Sequence, residues 1–120
     1  MSRASRVLTL PYPPSVNHYW RRVGSRTLIS REGRRYHTDV CAALAAGRAA
    51  PLTGRLAVCV TIFPPDRRRR DLDNAMKALL DALAHAGVYE DDSQIDDLRV
   101  IRGEVEPGGR AIVELVEVTA

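Results

Sequence analysis

Asp71 and Asp73 stand two residues apart in a stretch that reads Arg67-Arg68-Arg69-Arg70-Asp71-Leu72-Asp73-Asn74-Ala75-Met76-Lys77. In an extended segment their side chains point the same way, with Cα atoms roughly 7 Å apart, because a strand rises about 3.3 Å per residue. Two carboxylates so placed can close on one hard cation. Mg2+ suits them, since it completes its shell with water and phosphate oxygens. The plainer alternative makes Asp73 a helix cap and Asp71 a solvated turn residue. Lys77 follows Asp73 by four residues, on the same face of a helix begun there, with Asn74 directly after the acidic pair. An ammonium beside such carboxylates can orient an attacking water or stabilise the charge of a pentavalent phosphorane. Its alternative is a surface ion pair worth about 0.3–0.5 kcal/mol. Asp81 and His85 continue the stripe at helical spacing and read as solvated residues.

Arg67 to Arg70 put four cations directly ahead of the pair, where they could hold phosphates over a metal. If all four engage phosphates, they contribute roughly −3.6 to the logarithmic salt slope of binding. The net charge of +3 hides a separation: residues 1–70 hold 14 arginines against three acids, and residues 71–120 hold four bases against twelve acids. A bias toward arginine codons explains arginine over lysine but not this division. Lys77 is the only lysine, marking it as a place where arginine would not serve. A basic half beside an acidic site points to a polyanionic partner.

A length of 120 residues allows a single domain, 1–120, with one core. Hydrophobic content of 45% with 28% charged residues is globular, and no apolar run is long enough to span a bilayer. Arg3 and Arg6 run straight into Val7-Leu8-Thr9-Leu10-Pro11 without the apolar core of a secretory signal, so a cytoplasmic location is expected. Cys41 and Cys59 lie in apolar patterns without metal or redox spacing, and are expected as buried, reduced thiols.

Val7 to Leu10 is a β-prone run halted by Pro11, Pro13 and Pro14. A rigid loop follows through Tyr19, Trp20, Arg21 and Arg22, whose aromatics could stack on a partner while the arginines grip it, or could simply pack. Arg26 to Ile29 forms a second short strand. Ser30 is an N-cap with Glu32 in the first turn, and Tyr36, Val40 and Leu44 recur at helical spacing, predicting a helix over 31–46 ended by Gly47. Leu56 to Phe63 is apolar on both alternating faces and predicts a central, well-buried strand. Leu72, Met76, Leu79 and Leu83 predict a helix from about Asp73 to Ala86, ended by Gly87. After an acidic turn, Leu98 to Val105 and Arg110 to Val118 read as strands joined through Pro107-Gly108-Gly109, a hairpin signal. The order β-β-α-β-α-β-β predicts an α+β domain, a mixed sheet with two helices packed on it.

These residues together resemble a known family. Pro65-Asp66, Arg67 to Asn74, Lys77, Asp81-Ala82-Leu83, Ala86-Gly87, Asp91-Asp92 and Gln94 look like the RusA-type Holliday junction resolvases. Leu10-Pro11, Pro13-Pro14-Ser15, Asn17, Tyr19, Ser30, Glu32-Gly33 and Tyr36 fit the same family, so the resemblance spans nearly the whole chain. It implies that Asp71, Asp73 and Asp92 bind the metal and that Lys77 is catalytic. Spacing alone leaves Glu90, Asp91, Asp92, Asp96 and Asp97 as rival third ligands. Arg70 and Asn74 become supports for the scissile phosphate and the metal, with Arg67, Arg68, Arg69, Arg21 and Arg22 as further DNA contacts. The resemblance further implies a Mg2+-dependent endonuclease, with Mn2+ able to substitute, that resolves four-way DNA junctions by symmetric paired nicks in recombination and repair. Branched DNA and a second copy of the chain are the expected partners, with no membrane and no organic cofactor. Two other readings stand beside it: a non-catalytic junction or duplex DNA-binding protein, and a hydrolase of small phosphoesters, which would not need fourteen arginines in the first seventy residues.

Overall fold

The computed structural model describes residues 4–47 and 49–118, so Arg3 and Arg48 lie outside the described residues. The central strand predicted over Leu56 to Phe63 is β4 (Arg55–Phe63). Its buried residues, Leu56, Val58, Val60 and Ile62, alternate with half-buried Ala57, Cys59, Thr61 and Phe63. One face is therefore core and the other is not, although both are apolar. The sheet order is β1 (Ser5–Leu10), β6 (Arg110–Val118), β4 and β5 (Ile95–Arg102). β6 runs antiparallel to both β1 and β4, whereas β5 runs parallel to β4. The domain is α+β with a mixed sheet, as the order of elements predicted.

The Pro107-Gly108-Gly109 signal does make a turn, closed by the Gly109 N–H donating to the Glu106 carbonyl at 2.8 Å. It does not make a hairpin of neighbouring strands. β5 ends at Arg102, three residues short of the expected end, and β4 lies between β5 and β6. The connection from Gly103 to Gly109 first follows the end of β4, with Gly103 N–H on the Ile62 carbonyl and Glu106 N–H on the Pro64 carbonyl, both at 2.8 Å. Seven residues reach far beyond the roughly 10 Å between next-nearest strands, so the chain can step across. Stepping across lets β4, the most apolar strand, bond on both edges.

Two helices cover the core face. α2 (Arg31–Leu44) begins where Ser30 accepts the Gly33 N–H at 3.0 Å, confirming the cap, and buries Tyr36, His37 and Val40. α3 (Met76–His85) buries Met76, Ala78, Leu79, Ala82 and Leu83. It stops at Gly87, whose φ of 80° admits the closing pair of bonds, Gly87 N–H to Ala84 and Val88 N–H to Leu83. Cys41 on α2 and Cys59 on β4 are free thiols, half-buried and not fully buried as expected.

The loop after β1 holds more structure than its prolines indicated. α1 (Val16–Tyr19) is one helical turn, and β2 (Trp20–Val23) pairs with β3 (Arg26–Ile29) as a two-stranded hairpin outside the main sheet. Gly33 lets this unit approach α2. A Cβ there would lie 2.7 Å from Ile29 Cγ2, 2.9 Å from Tyr19 Cδ1 and 3.0 Å from the Tyr19 carbonyl oxygen. Tyr19 is fully buried and cannot give way. Gly33→Ala is expected to cost about 1–3 kcal/mol, the usual penalty of overpacking, read as a lower thermal midpoint. An unchanged midpoint would show the contact to be compliant.

Candidate active site

β4 ends at Pro64 and Pro65, and the next residue folds the loop back on itself. Asp66 Oδ1 accepts the Arg68 N–H at 2.9 Å and the Arg70 guanidinium at 2.6 Å. The Arg70 side-chain bond, followed by the Arg68 N–H, holds the Asp66 carboxyl well below its usual range, at about 2. Arg70 also lies over the Tyr12 ring at 5.9 Å, and its carbonyl accepts from Arg102 at 2.7 Å. Arg70 is thus a brace inside the loop. Arg67, Arg68 and Arg69 point out as exposed cations, with only a 3.9 Å approach of Arg68 to Asp66. The structure divides the four arginines into three free and one engaged.

Asp71 precedes a 3-10 turn, Leu72–Ala75, that leads into α3. Its backbone is extended, at φ −84° and ψ 140°, and its carboxylate makes no cap bond; the Asn74 N–H goes to the Asp71 carbonyl at 3.2 Å instead. Asp73 lies inside the turn, and Ala75 is the residue at the head of α3. The capping alternative for Asp73 therefore does not hold. Asp73 thus belongs to the 3-10 turn and Lys77 to α3 proper. Lys77 pairs one turn onward, its Nζ 3.4 Å from Asp81 Oδ2 and 5.6 Å from the centre of the Trp20 ring.

Asp81 was expected to be solvated and is not. It is half-buried and accepts the Tyr19 hydroxyl at 3.0 Å, while that hydroxyl also meets His37 Nε2 at 2.9 Å. The single Tyr19 proton goes to the carboxylate, so His37 Nε2 carries the hydrogen donated to Tyr19. Burial first, and then His85, whose ring stands 4.9 Å away, lower the His37 pKa. Sequence spacing held one clue to Asp81, its position four residues after Lys77; it marked Tyr19 only as an aromatic that stacks or packs, and His37 not at all.

The acidic turn sorts its own carboxylates. Asp91 caps the 3-10 turn Asp92–Gln94, accepting the Ser93 N–H at 3.2 Å, and Gln94 Oε1 returns to the Asp91 N–H at 3.0 Å. Asp96 is bound by Arg55, and Asp97 lies 3.7 Å from Arg99. Among the described residues no cation forms an ion pair with Asp92. Its pKa is raised by desolvation, then by the adjacent Asp91 and by Asp81, against a lowering by Lys77. The turn that carries Asp92 packs against α3, and of its rivals Asp91, Asp96 and Asp97 already have structural partners.

Asp71, Asp73 and Asp92 are exposed hard oxygen donors, the chemistry that Mg2+ or Mn2+ requires. Among the described residues no three His, Cys, Asp or Glu side chains stand close enough to hold a metal ion. All three are exposed at turns, where a carboxylate side chain is free to turn toward an ion. The donor set fits the group.

Comparison with known proteins gives this arrangement its context. The model of the family described as Endodeoxyribonuclease RusA matches residues 11–115. The chain belongs to the RusA family. The crossover junction endodeoxyribonuclease of Enterobacteria phage HK97 is 51% identical over 109 residues, covering 90% of this chain and 91% of that protein. The RusA protein of Escherichia coli strain K12 is 44% identical over 115 residues, covering 92% of each, as is that of Enterobacteria phage 82. In this member of the RusA family a cavity of about 530 Å3 opens beside Asp71 and Asn74, between the proline loop at Tyr12 to Ser15 and the arginine loop. Arg68, Arg69 and Arg70 line it, so cationic side chains share this cavity with Asp71. On the other side Trp20 is 38% exposed above Lys77, edge-on to buried Tyr19 at 5.0 Å, with Arg21 and Arg22 exposed along β2. Tyr19 is packed, and Trp20 is the aromatic that solvent reaches.

Proposed function

We propose that this chain is a metal-dependent endodeoxyribonuclease that resolves four-way DNA junctions by symmetric paired nicks, in recombination and repair. The family match across residues 11–115 carries the reading. Asp71, Asp73 and Asp92 hold Mg2+, for which Mn2+ substitutes, and the bound ion supplies Lewis acidity at the scissile phosphate. Lys77 places a positive charge where the phosphorane gathers negative charge, on the helix against which the Asp92 turn packs. Asn74 supports the metal side of the site, and Arg70 keeps its loop folded toward the scissile phosphate. Arg67, Arg68 and Arg69 hold the phosphate backbone, with Arg21 and Arg22 reaching a second stretch of it. Two symmetric cuts need two sites, which a two-fold homodimer supplies without further sequence. No organic cofactor is called for. No helix among the described residues is long and apolar enough to cross a membrane, and the proposed setting is the cytoplasm.

A synthetic four-way junction and a matched linear duplex, each incubated with Mg2+ or EDTA, test the reading. Symmetric nicks on the junction alone, lost with EDTA, are expected. Equal cutting of the duplex overturns junction specificity, and binding without any cutting leaves a non-catalytic junction-binding protein.

The three free arginines also set a salt dependence. Together they account for about −2.7 of the logarithmic salt slope, not the −3.6 of four. Replacing Arg67, Arg68 and Arg69 with alanine is expected to flatten the slope of junction binding by that amount in anisotropy titrations. An unaltered slope would remove this loop from the DNA interface.

A further inference from the structure

His37, Tyr19 and Asp81, which the chemistry above does not use, form a chain that runs from the buried face of α2 to the candidate catalytic lysine, Lys77. We propose that Tyr19 and Asp81 are positioning residues, through which the α1–β2 arm carrying Trp20, Arg21 and Arg22 sets where the Lys77 ammonium stands. This deepens, and rests on, the reading that Lys77 acts at the scissile phosphate.

The argument begins with what each group needs. The Tyr19 ring is fully buried, so its hydroxyl requires partners, and His37 Nε2 at 2.9 Å already supplies one. The second partner could be any neutral acceptor. A carboxylate there, half-buried on α3, costs desolvation that a neutral amide would avoid, unless its charge has a further role. Asp81 Oδ2 has that role within reach, since the same oxygen lies 3.0 Å from Tyr19 Oη and 3.4 Å from Lys77 Nζ. One oxygen thus holds the lysine while being held by the arm.

The arm contributes a second contact. Trp20 follows Tyr19 directly and places its ring 5.6 Å from Lys77 Nζ, a distance at which an ammonium is attracted to an indole face. Asp81 and Trp20 together leave a flexible side chain with few places to stand. A lysine on a four-carbon stem otherwise loses substantial rotamer freedom on taking up a working position. Arg21 and Arg22 continue the same strand, exposed, so DNA that draws on the arm also draws on Tyr19 and Trp20. The coupling is short: one hydrogen bond and one ring separate the DNA-facing strand from the lysine.

Tyr19→Phe removes the hydroxyl and keeps the ring; Asp81→Asn removes the charge and keeps the shape. Both are compared with wild type, Lys77→Met and the Asp81→Asn/Lys77→Met double variant. Single-turnover cleavage of a saturating four-way junction is measured in Mg2+, junction affinity in EDTA, thermal midpoint, and the emission of Trp20, the only tryptophan. Cleavage is expected to fall about tenfold in Tyr19→Phe and about 10- to 100-fold in Asp81→Asn, the range for residues that orient a working group, with junction affinity within about twofold of wild type. Asp81→Glu, which restores the charge, is expected to recover part of the rate. Asp81→Asn should change Trp20 emission in the wild-type background and not in Lys77→Met, because the ammonium is what it releases. Cleavage at the wild-type rate in both Tyr19→Phe and Asp81→Asn, with Lys77→Met inactive, overturns the positioning role and leaves the lysine's role standing. Wild-type cleavage by Lys77→Met overturns both. If Asp81→Asn proves unstable, Tyr19→Phe and the emission cycle still decide.

Discussion

Asp73→Asn is expected to lower junction cleavage by about 10²–10³-fold or more while leaving junction binding intact or slightly tighter. The size follows from removing an anionic ligand from a site whose work is electrostatic. Retained folding follows from the geometry: Asp73 lies within a 3-10 turn, and Ala75, not Asp73, heads α3. Retained binding follows from sign, since one fewer negative charge beside Arg67, Arg68 and Arg69 reduces repulsion of phosphate. Asp92→Asn is expected to behave in the same way. Asp91→Asn is its control, because asparagine caps as well as aspartate and the Asp91 bond to Ser93 survives. Cleavage of a synthetic junction, binding in EDTA and thermal midpoint are the measurements. If Asp91→Asn abolished cleavage and Asp92→Asn did not, the third ligand would have to be reassigned.

The second large effect is on stability. Leu79→Ala is expected to cost about 2–5 kcal/mol, because Leu79 is fully buried on α3 against the sheet and its removal leaves a cavity as well as lost burial. Against a total of about 5–15 kcal/mol for a domain this is a large fraction. The midpoint should fall by roughly 10–20 °C. Val23→Ala, on the exposed hairpin at 43% accessibility, is expected to change stability by less than about 0.5 kcal/mol. α3 carries both Lys77 and Asp81, so cleavage by Leu79→Ala should fail in parallel with unfolding as temperature rises. Loss of cleavage well below the melting transition would instead place Leu79 in the alignment of the site.

Much of the architecture was legible because it follows from periodicity. The alternation through Leu56 to Phe63, the 3.6-residue recurrence of α2 and α3, the Ser30 cap and the Gly87 stop are local patterns with local causes. Strand pairing is not local. The glycine turn before Arg110 carries a hairpin signature, yet β4 lies between β5 and β6, bonded on both of its edges. The hairpin β2–β3 was half hidden, since Trp20 to Val23 has its apolar residues only at its two ends and so lacks the alternation of a half-buried strand.

The opening residues show the same division within the site. By itself the sequence determined the types: two carboxylates two apart, one lysine in the chain, four arginines at the reversal of charge, and a pattern that places the chain in the RusA family. Tertiary structure decided which of those charges is available. Asp66 takes Arg70 out of the free set, the cap at Asp91 commits that carboxylate and leaves its neighbour Asp92 uncommitted, and Tyr19 holds Asp81 beside Lys77 from 62 residues away. Residue type states what a side chain can do. Only the folded chain determines which partner reaches it first, because partners of opposite charge or free hydrogen-bonding capacity are brought together by packing across distances that spacing along the sequence does not record.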